Sequence, residues 1–382
     1  MYAFKFLLSL HFIGGVLVPF FLDWGQITFT QIMILQSVFV FSIFLLEIPT
    51  GAIADYFGRK TSLILAAVTT AIGAIVYTIT PNFSMFLLAE FIWAIGFALL
   101  SGADQALVYD SLKKIKSEKQ SKKIFGRFNS FELTALMISA PIGSLIAATI
   151  GLRFTMMFMA IPFLIAFFVA FSFKEPKTKK KIESRRYFDT LLSGIKYFKS
   201  HKVLKILAFD MISISALVFF IIWTYQPLLK QLGVPLIYFG FIHAAITGIQ
   251  IPFMNKFEKL ETIFKSKKNY LLWSAIITGI AFIFLGINTY IPLTIILLII
   301  IAGFGLSRYV LFQSYMNKYI ESHNRSTVLS SISMVNRFVR GLLYPLAGLL
   351  VEWSLNYAII TFGVLIVIFA LLSKVKEEHL ID

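Results

Sequence analysis

Glu90, Asp104, Asp210 and Arg308 lie inside long apolar runs of this sequence. In a membrane, each ionised side chain there costs roughly 2.5–3.5 kcal/mol to insert, so each needs a partner, a proton or a wet cavity. An acid in such a place holds either a proton or a cation and can exchange one for the other. Glu90 and Asp104 are fourteen residues apart. On a continuous helix they would sit on nearly the same face, ~21 Å apart by rise. Asp210, about two turns from the start of its run, and Arg308, about two turns from the end of its run, carry opposite charges at ends expected on the same, cytoplasmic side, so a pair between them is expected. Arg337 and Arg340 lie ~18 Å along another run by helix rise. They suit Glu132, a lipid phosphate or an anionic small molecule, and neither is assigned a role. His11 titrates in a useful range, but a lone histidine in an apolar run is read as a packing residue.

The elements that position these groups follow from composition. Of 382 residues, 58% are hydrophobic, 14% are charged and 41 are Phe. A soluble domain does not need that much apolar surface. The apolar runs are ~17–25 residues long, enough to cross a bilayer as helices. Twelve spans are expected, at about 3–22, 31–53, 62–80, 83–108, 127–149, 153–173, 203–228, 234–254, 269–287, 290–313, 326–350 and 354–373. They are numbered 1 to 12 below. Span 1 lacks a small-residue cleavage site and is read as retained. With no Cys, disulfides and thiolate metal sites are excluded, and no metal site is expected.

The net charge of +16 is organised by topology. Lys113, Lys114, Lys116, Lys119, Lys122 and Lys123 follow span 4. The linker 174–202 holds ten Lys and Arg residues, among them Lys179, Lys180, Lys181, Arg185 and Arg186. Lys256, Lys259, Lys265, Lys267 and Lys268 follow span 8. With twelve spans, all these loops fall on one side, and the other side carries only Arg153 and Lys230. The positive-inside rule puts that basic side, and both termini, in the cytoplasm. Anionic inner-leaflet lipid is the expected partner of the basic excess; nucleic acid is not, since no recognised module or aromatic-basic interleaving is present. The linker divides the chain into 1–173 and 203–373, six spans each, with a tail at 374–382. Its segment Tyr187–Lys199 mixes apolar and basic residues at helical spacing, as a helix lying on the membrane surface would.

Between spans 2 and 3 stands Gly51-Ala-Ile-Ala-Asp55-Tyr-Phe-Gly58-Arg59-Lys60-Thr-Ser-Leu63. It resembles the signature loop of the major facilitator superfamily, roughly G-x-x-x-D-R-x-G-R-[RK]-x-x-L, with Tyr56 where the family usually has Arg. The resemblance extends to Asp110 at the end of span 4, where the family often has an acid that pairs with the loop Arg. It implies an all-α membrane fold of twelve helices in two pseudo-symmetric six-helix bundles, and a latch made by Asp55, Arg59 and Asp110. Near Asn255–Lys268 the second half is basic but lacks the D-x-x-G-R pattern. Glu90 occupies the slot of the Arg in the family's span-4 motif R-x-x-Q-G-x-G, with Gly96 matching the last glycine. In span 5, Pro141 and Gly143 match the antiporter stretch G-P-x-x-G-G, while Ala140 and Ser144 stand where Gly is usual.

These readings imply a proton-coupled secondary transporter in the cell membrane, an exporter of lipophilic or cationic small molecules of the multidrug-efflux type. Glu90, Asp104, Asp210 and Arg308 are its expected proton-coupling or substrate-binding residues. A carrier for a specific metabolite, lipid or metal complex, possibly anionic through Arg308, Arg337 and Arg340, is the alternative. Protons, small-molecule substrate and membrane lipid are the expected partners, no cofactor beyond the proton gradient is expected, and the chain is expected to act as a monomer. There is no P-loop, no H-E-x-x-H pair and no Ser–His dyad placed by motif, so ATP hydrolysis and intramembrane enzymes are not indicated.

Overall fold

The computed structural model describes residues 1–176, 196–198, 200–321 and 325–381. Among them the chain is helical, with no strand. Ten helices are long and apolar enough to cross a membrane. Two shorter apolar helices, Gly14–Trp24 and Leu355–Leu371, stand in spans 1 and 12. The surface segment expected at Tyr187–Lys199, and most of the linker's charges, lie outside the described residues apart from 196–198.

The chain divides into two compact units. The first comprises Met1–Tyr187 and Pro235–Ala244, the second Phe188–Val234 and Ala245–Asp382. In the first unit, Phe29–Phe57 (span 2) begins with a capping box. The Thr28 hydroxyl accepts from the Gln31 amide, and the Gln31 side chain accepts from the Thr28 amide. Arg59–Val76 (span 3) packs against Phe83–Leu100 and against Leu152–Phe171 (span 6). An aromatic cluster of Phe20, Phe21, Tyr77 and Phe86 closes one end of this unit, with ring centroids 5.2–6.3 Å apart. In the second unit, Lys267–Ile287 (span 9) packs along Leu355–Leu371. The close approach of these helices is what small residues at a membrane helix crossing permit.

Two expected spans are broken. Span 1 is a helix over Tyr2–Leu8, a non-helical stretch through Ile13, and short irregular turns to Trp24. Gly14, Gly15 and Pro19 are poor helix-interior residues. The unwound backbone is also engaged from span 5, since a Cβ at Gly143 would collide with the Phe12 carbonyl oxygen. Span 4 breaks between Phe83–Leu100 and Ala103–Lys114. Ser101 is extended and Gly102 adopts φ +74°, a left-handed conformation that glycine takes at little cost. Span 7 has a minor interruption at Phe220, between Lys202–Phe219 and Ile221–Gln231. Span 10 contains a wide π-helical turn, Ile301–Leu306, immediately before Ser307 and Arg308.

Candidate functional site

The signature loop builds a charge cluster at one end of the first unit. Gly58 ends span 2 with φ +99°, and a side chain there would strike the Glu175 carboxylate. Only glycine makes this reversal without strain. The Glu175 carboxylate accepts from the Arg59 and Lys60 amides at 2.8 and 3.0 Å. That is an anion on the free N–H groups of a helix N-terminus. The Arg59 guanidinium pairs with Asp110 and donates to the Ala106 carbonyl at 2.9 Å. Lys60 Nζ donates to the Phe171 carbonyl at 2.6 Å. Arg59 and Asp110 are thus brought together as the resemblance implied, and Asp55 and Gly51 lie in the last two turns of the adjoining helix.

The second unit repeats the device in different residues. The Glu377 carboxylate accepts from the Lys267 and Lys268 amides at 3.1 and 2.8 Å, and Lys267 Nζ donates to the Leu380 carbonyl at 3.0 Å. Where the first unit has Arg59 and Asp110, here the Tyr315 hydroxyl donates to Glu261. The copy is legible in geometry although the D-x-x-G-R pattern is absent.

Glu90 is 2% exposed, two turns into span 4. Gln36 from span 2 donates to its Oε1 at 2.9 Å, and the Tyr77 phenol lies beside it. Both neighbours are neutral, and among the described residues no cation pairs with it. Trp93, one turn on, donates from Nε1 to the Thr70 carbonyl at 3.0 Å, which fixes the rotation of this helix against span 3.

Asp104 has different surroundings, which corrects the expectation that it shares a face with Glu90. The break at Ser101–Gly102 resets the helix phase, so the ~100° per residue count does not carry across it. Asp104 faces Lys5 of span 1 at 3.7 Å, and the same ammonium pairs with Glu132 of span 5 at 2.9 Å. Lys5 also lies over the Phe128 ring at 5.4 Å. Glu132 therefore has Lys5 as its cation. His11 Nε2 donates to the Leu8 carbonyl, 3.1 Å away, and the ring packs against Trp93 and Phe163.

In the second unit, Asp210 and Arg308 are brought together at 3.0 Å, both nearly fully buried. Arg308 also donates to the Leu271 carbonyl and, at 2.6 Å, to the Ser274 hydroxyl. Arg308 is thus engaged by three protein groups. Arg337 and Arg340 have no ion pair among the described residues; the Arg340 guanidinium lies 4.3 Å from the Phe219 ring centroid.

In span 5, Pro141 and Gly143 sit inside the uninterrupted helix Ser121–Thr149. Within the first unit this stretch seats Pro235–Ala244. The Ser144 hydroxyl donates to the Ile237 carbonyl at 2.8 Å, and a Cβ at Gly240 would collide with the Ala140 carbonyl oxygen. Sequence reasoning missed Lys5, Gln36, Tyr77 and Glu175. Lys5, the one cation in span 1, was a readable signal; neutral Gln36 and Tyr77 offered none.

A profile described as Major Facilitator Superfamily matches residues 3–265. Among solved structures, the chain is similar to the nucleoside transporter NupG, at 14% identity over 98% of each chain with a TM-score of 0.78. It is similar to a bacterial homolog of the human lysosomal transporter Spinster, inward-facing and unoccupied, at 14% identity over 99% of this chain and 95% of that one, TM-score 0.77. A D-xylose–proton symporter matches at 17% identity over 98% and 96% of the two chains, TM-score 0.68. At these identities the likeness is one of fold.

Proposed function

Because the chain belongs to the Major Facilitator Superfamily, we propose that it is a proton-coupled secondary transporter working by alternating access, with Glu90 as the coupling acid. It is a membrane transporter and not an enzyme. One observation carries the choice of acid: Glu90 is buried with only neutral partners, Gln36 and Tyr77. A carboxyl in that setting is tolerated when protonated and costly when ionised, so it must lose its proton together with a change of surroundings or the arrival of a counter-ion. Asp104 already has Lys5, and Asp210 already has Arg308, so neither has the same need. The Arg59–Asp110 pair acts as the latch that ties spans 3 and 4 during the cycle.

Export of lipophilic or cationic compounds is the cargo reading that the helix-5 residues Pro141 and Gly143 and an unpaired acid support. The second reading, an anionic cargo, draws on Arg340, which no acid among the described residues answers. The lysine distribution supports both termini in the cytoplasm, and the monomer is taken as the acting unit. A cysteine placed at Ser184 of this Cys-free chain is labelled from the cytoplasm; labelling of intact cells by an impermeant reagent overturns the orientation.

Proteoliposomes with an imposed pH gradient, screened over cationic dyes and organic acids, test the function. Wild-type protein concentrates at least one class against its gradient. Glu90→Gln, a mimic of the protonated state, loses uphill transport and keeps downhill exchange. If Glu90→Gln concentrates substrate with unchanged pH dependence, Glu90 is not the coupling site.

A further inference from the structure

Arg340 is a cation in the middle of an apolar helix, Arg325–Trp353, and it has no ion pair among the described residues. Its guanidinium carbon lies over the Phe219 ring of span 7, 4.3 Å from the centroid, and its Nε has no hydrogen-bond partner among the described residues. A guanidinium is a planar fork of N–H donors that matches a carboxylate or phosphate. Arg337 lies one turn away on the same helix, so the stripe at positions 333, 336, 337, 340 and 344 is one face.

Two further orphaned groups point to a ligand with more than a bare charge. Trp223, 5% exposed and one turn from Phe219, has a buried indole N–H without a partner. Its ring packs against Tyr344 of the stripe, with centroids 6.4 Å apart. Asn336, 4% exposed and one turn before Arg340, has a buried carbonyl oxygen without a partner. A buried donor and a buried acceptor left open cost free energy unless something fills them. Tyr309 of span 10 stands on the same side, anchored at 2.9 Å to Ser333 and at 3.0 Å to Gln313. The contrast with Arg308 is sharp: that arginine spends its donors on Asp210, Ser274 and the Leu271 carbonyl.

We propose that this face of span 11, with Arg340 at its centre, binds the oxyanion of a lipophilic organic acid, a carboxylate or phosphate on an apolar body. The aromatic walls of Phe219 and Trp223 take the body, the Trp223 N–H adds a donor, and the Asn336 carbonyl accepts from a hydroxyl or amino group of the cargo. This rests on the transporter reading above and names the cargo class for it, a lipophilic acid rather than a cation.

The test uses full-length protein in neutral detergent and in nanodiscs, with benzoate and phenyl phosphate as probes and benzylamine as the cationic comparison. Binding is followed by calorimetry and by the shift in unfolding temperature. Benzoate or phenyl phosphate is expected to bind saturably in detergent and benzylamine not. Arg340→Gln weakens the anion by at least about 10-fold, the loss expected for a bidentate charged contact. Arg340→Lys falls in between, because it keeps the charge and loses the fork. An unliganded unfolding temperature unchanged in Arg340→Gln separates lost binding from misfolding. Anion affinity unaltered by Arg340→Gln overturns the proposal, as does preferential binding of benzylamine. If the stabilisation that depends on Arg340 appears only in phosphatidylglycerol nanodiscs, a lipid headgroup is the occupant and the cargo assignment is overturned. The Glu90→Gln protein keeps anion binding under this proposal. A wild-type protein that binds benzoate but never responds to a pH gradient therefore refutes the proton-coupling reading and leaves the site standing.

Discussion

Asp210 and Glu90 are both carboxylates buried in apolar helices, one in each unit, yet the protein treats them in opposite ways. Asp210 meets Arg308 at 3.0 Å, and the arginine also donates to Ser274 and the Leu271 carbonyl. Glu90 meets an amide and a phenol. The same division runs through the cations of the second unit, where Arg308 is answered and Arg340 is not. Burial therefore does not by itself identify a working group. A saturated pair is a structural element, since removing one partner strands the other in a medium that does not solvate it. A buried group with only neutral neighbours has charge chemistry left to do.

The comparison breaks hardest at the saturated pair. Arg308→Leu should destabilise the protein by about 3–5 kcal/mol, because Asp210 is left as an unpaired buried charge. Adding Asp210→Leu should recover most of that loss. Unfolding followed by tryptophan fluorescence checks it, and a double variant no more stable than the single one would show that the pair does more than cancel charge. Glu90→Gln is the sharpening counterpart. Uphill transport is lost while the unfolding temperature holds or rises, since an uncharged amide fits a neutral site. A fall in stability as large as that of Arg308→Leu would mean that Glu90 has a structural role.

The two loop devices extend the same contrast on a smaller scale. Arg59→Ala should slow turnover while leaving substrate binding within about threefold, because a group that acts between conformations changes rate more than ground-state affinity. Initial-rate and binding measurements on the same preparation decide it, and a wild-type rate removes the pair from the cycle. The smallest effect is expected at the helix caps. Glu175→Ala and Glu377→Ala each cost roughly 1 kcal/mol or less, the range of lost helix N-terminal partners. Near-equal values for the two would support reading them as copies of one device.

The sequence by itself determined the membrane class, the approximate positions of the long apolar helices and the loop at Gly58–Lys60. Long apolar runs have one stable form in a bilayer, because only a helix satisfies its own backbone there. Gly58, Arg59 and Lys60 were legible because a tight reversal at a helix end is a local demand, written in adjacent residues, whereas Asp110, 51 residues from Arg59, was named only through the resemblance. The Asp210–Arg308 pair apart, which polar groups meet was decided by tertiary structure. Gln36 reaches Glu90 across 54 residues of sequence, and Glu377 caps a helix some 110 residues before it. The break at Ser101–Gly102 turned Asp104 away from Glu90 and toward Lys5, and no periodicity count survives such a break. Side-chain partners depend on how helices rotate and cross, which the packing of the whole unit sets and the spacing along one helix cannot.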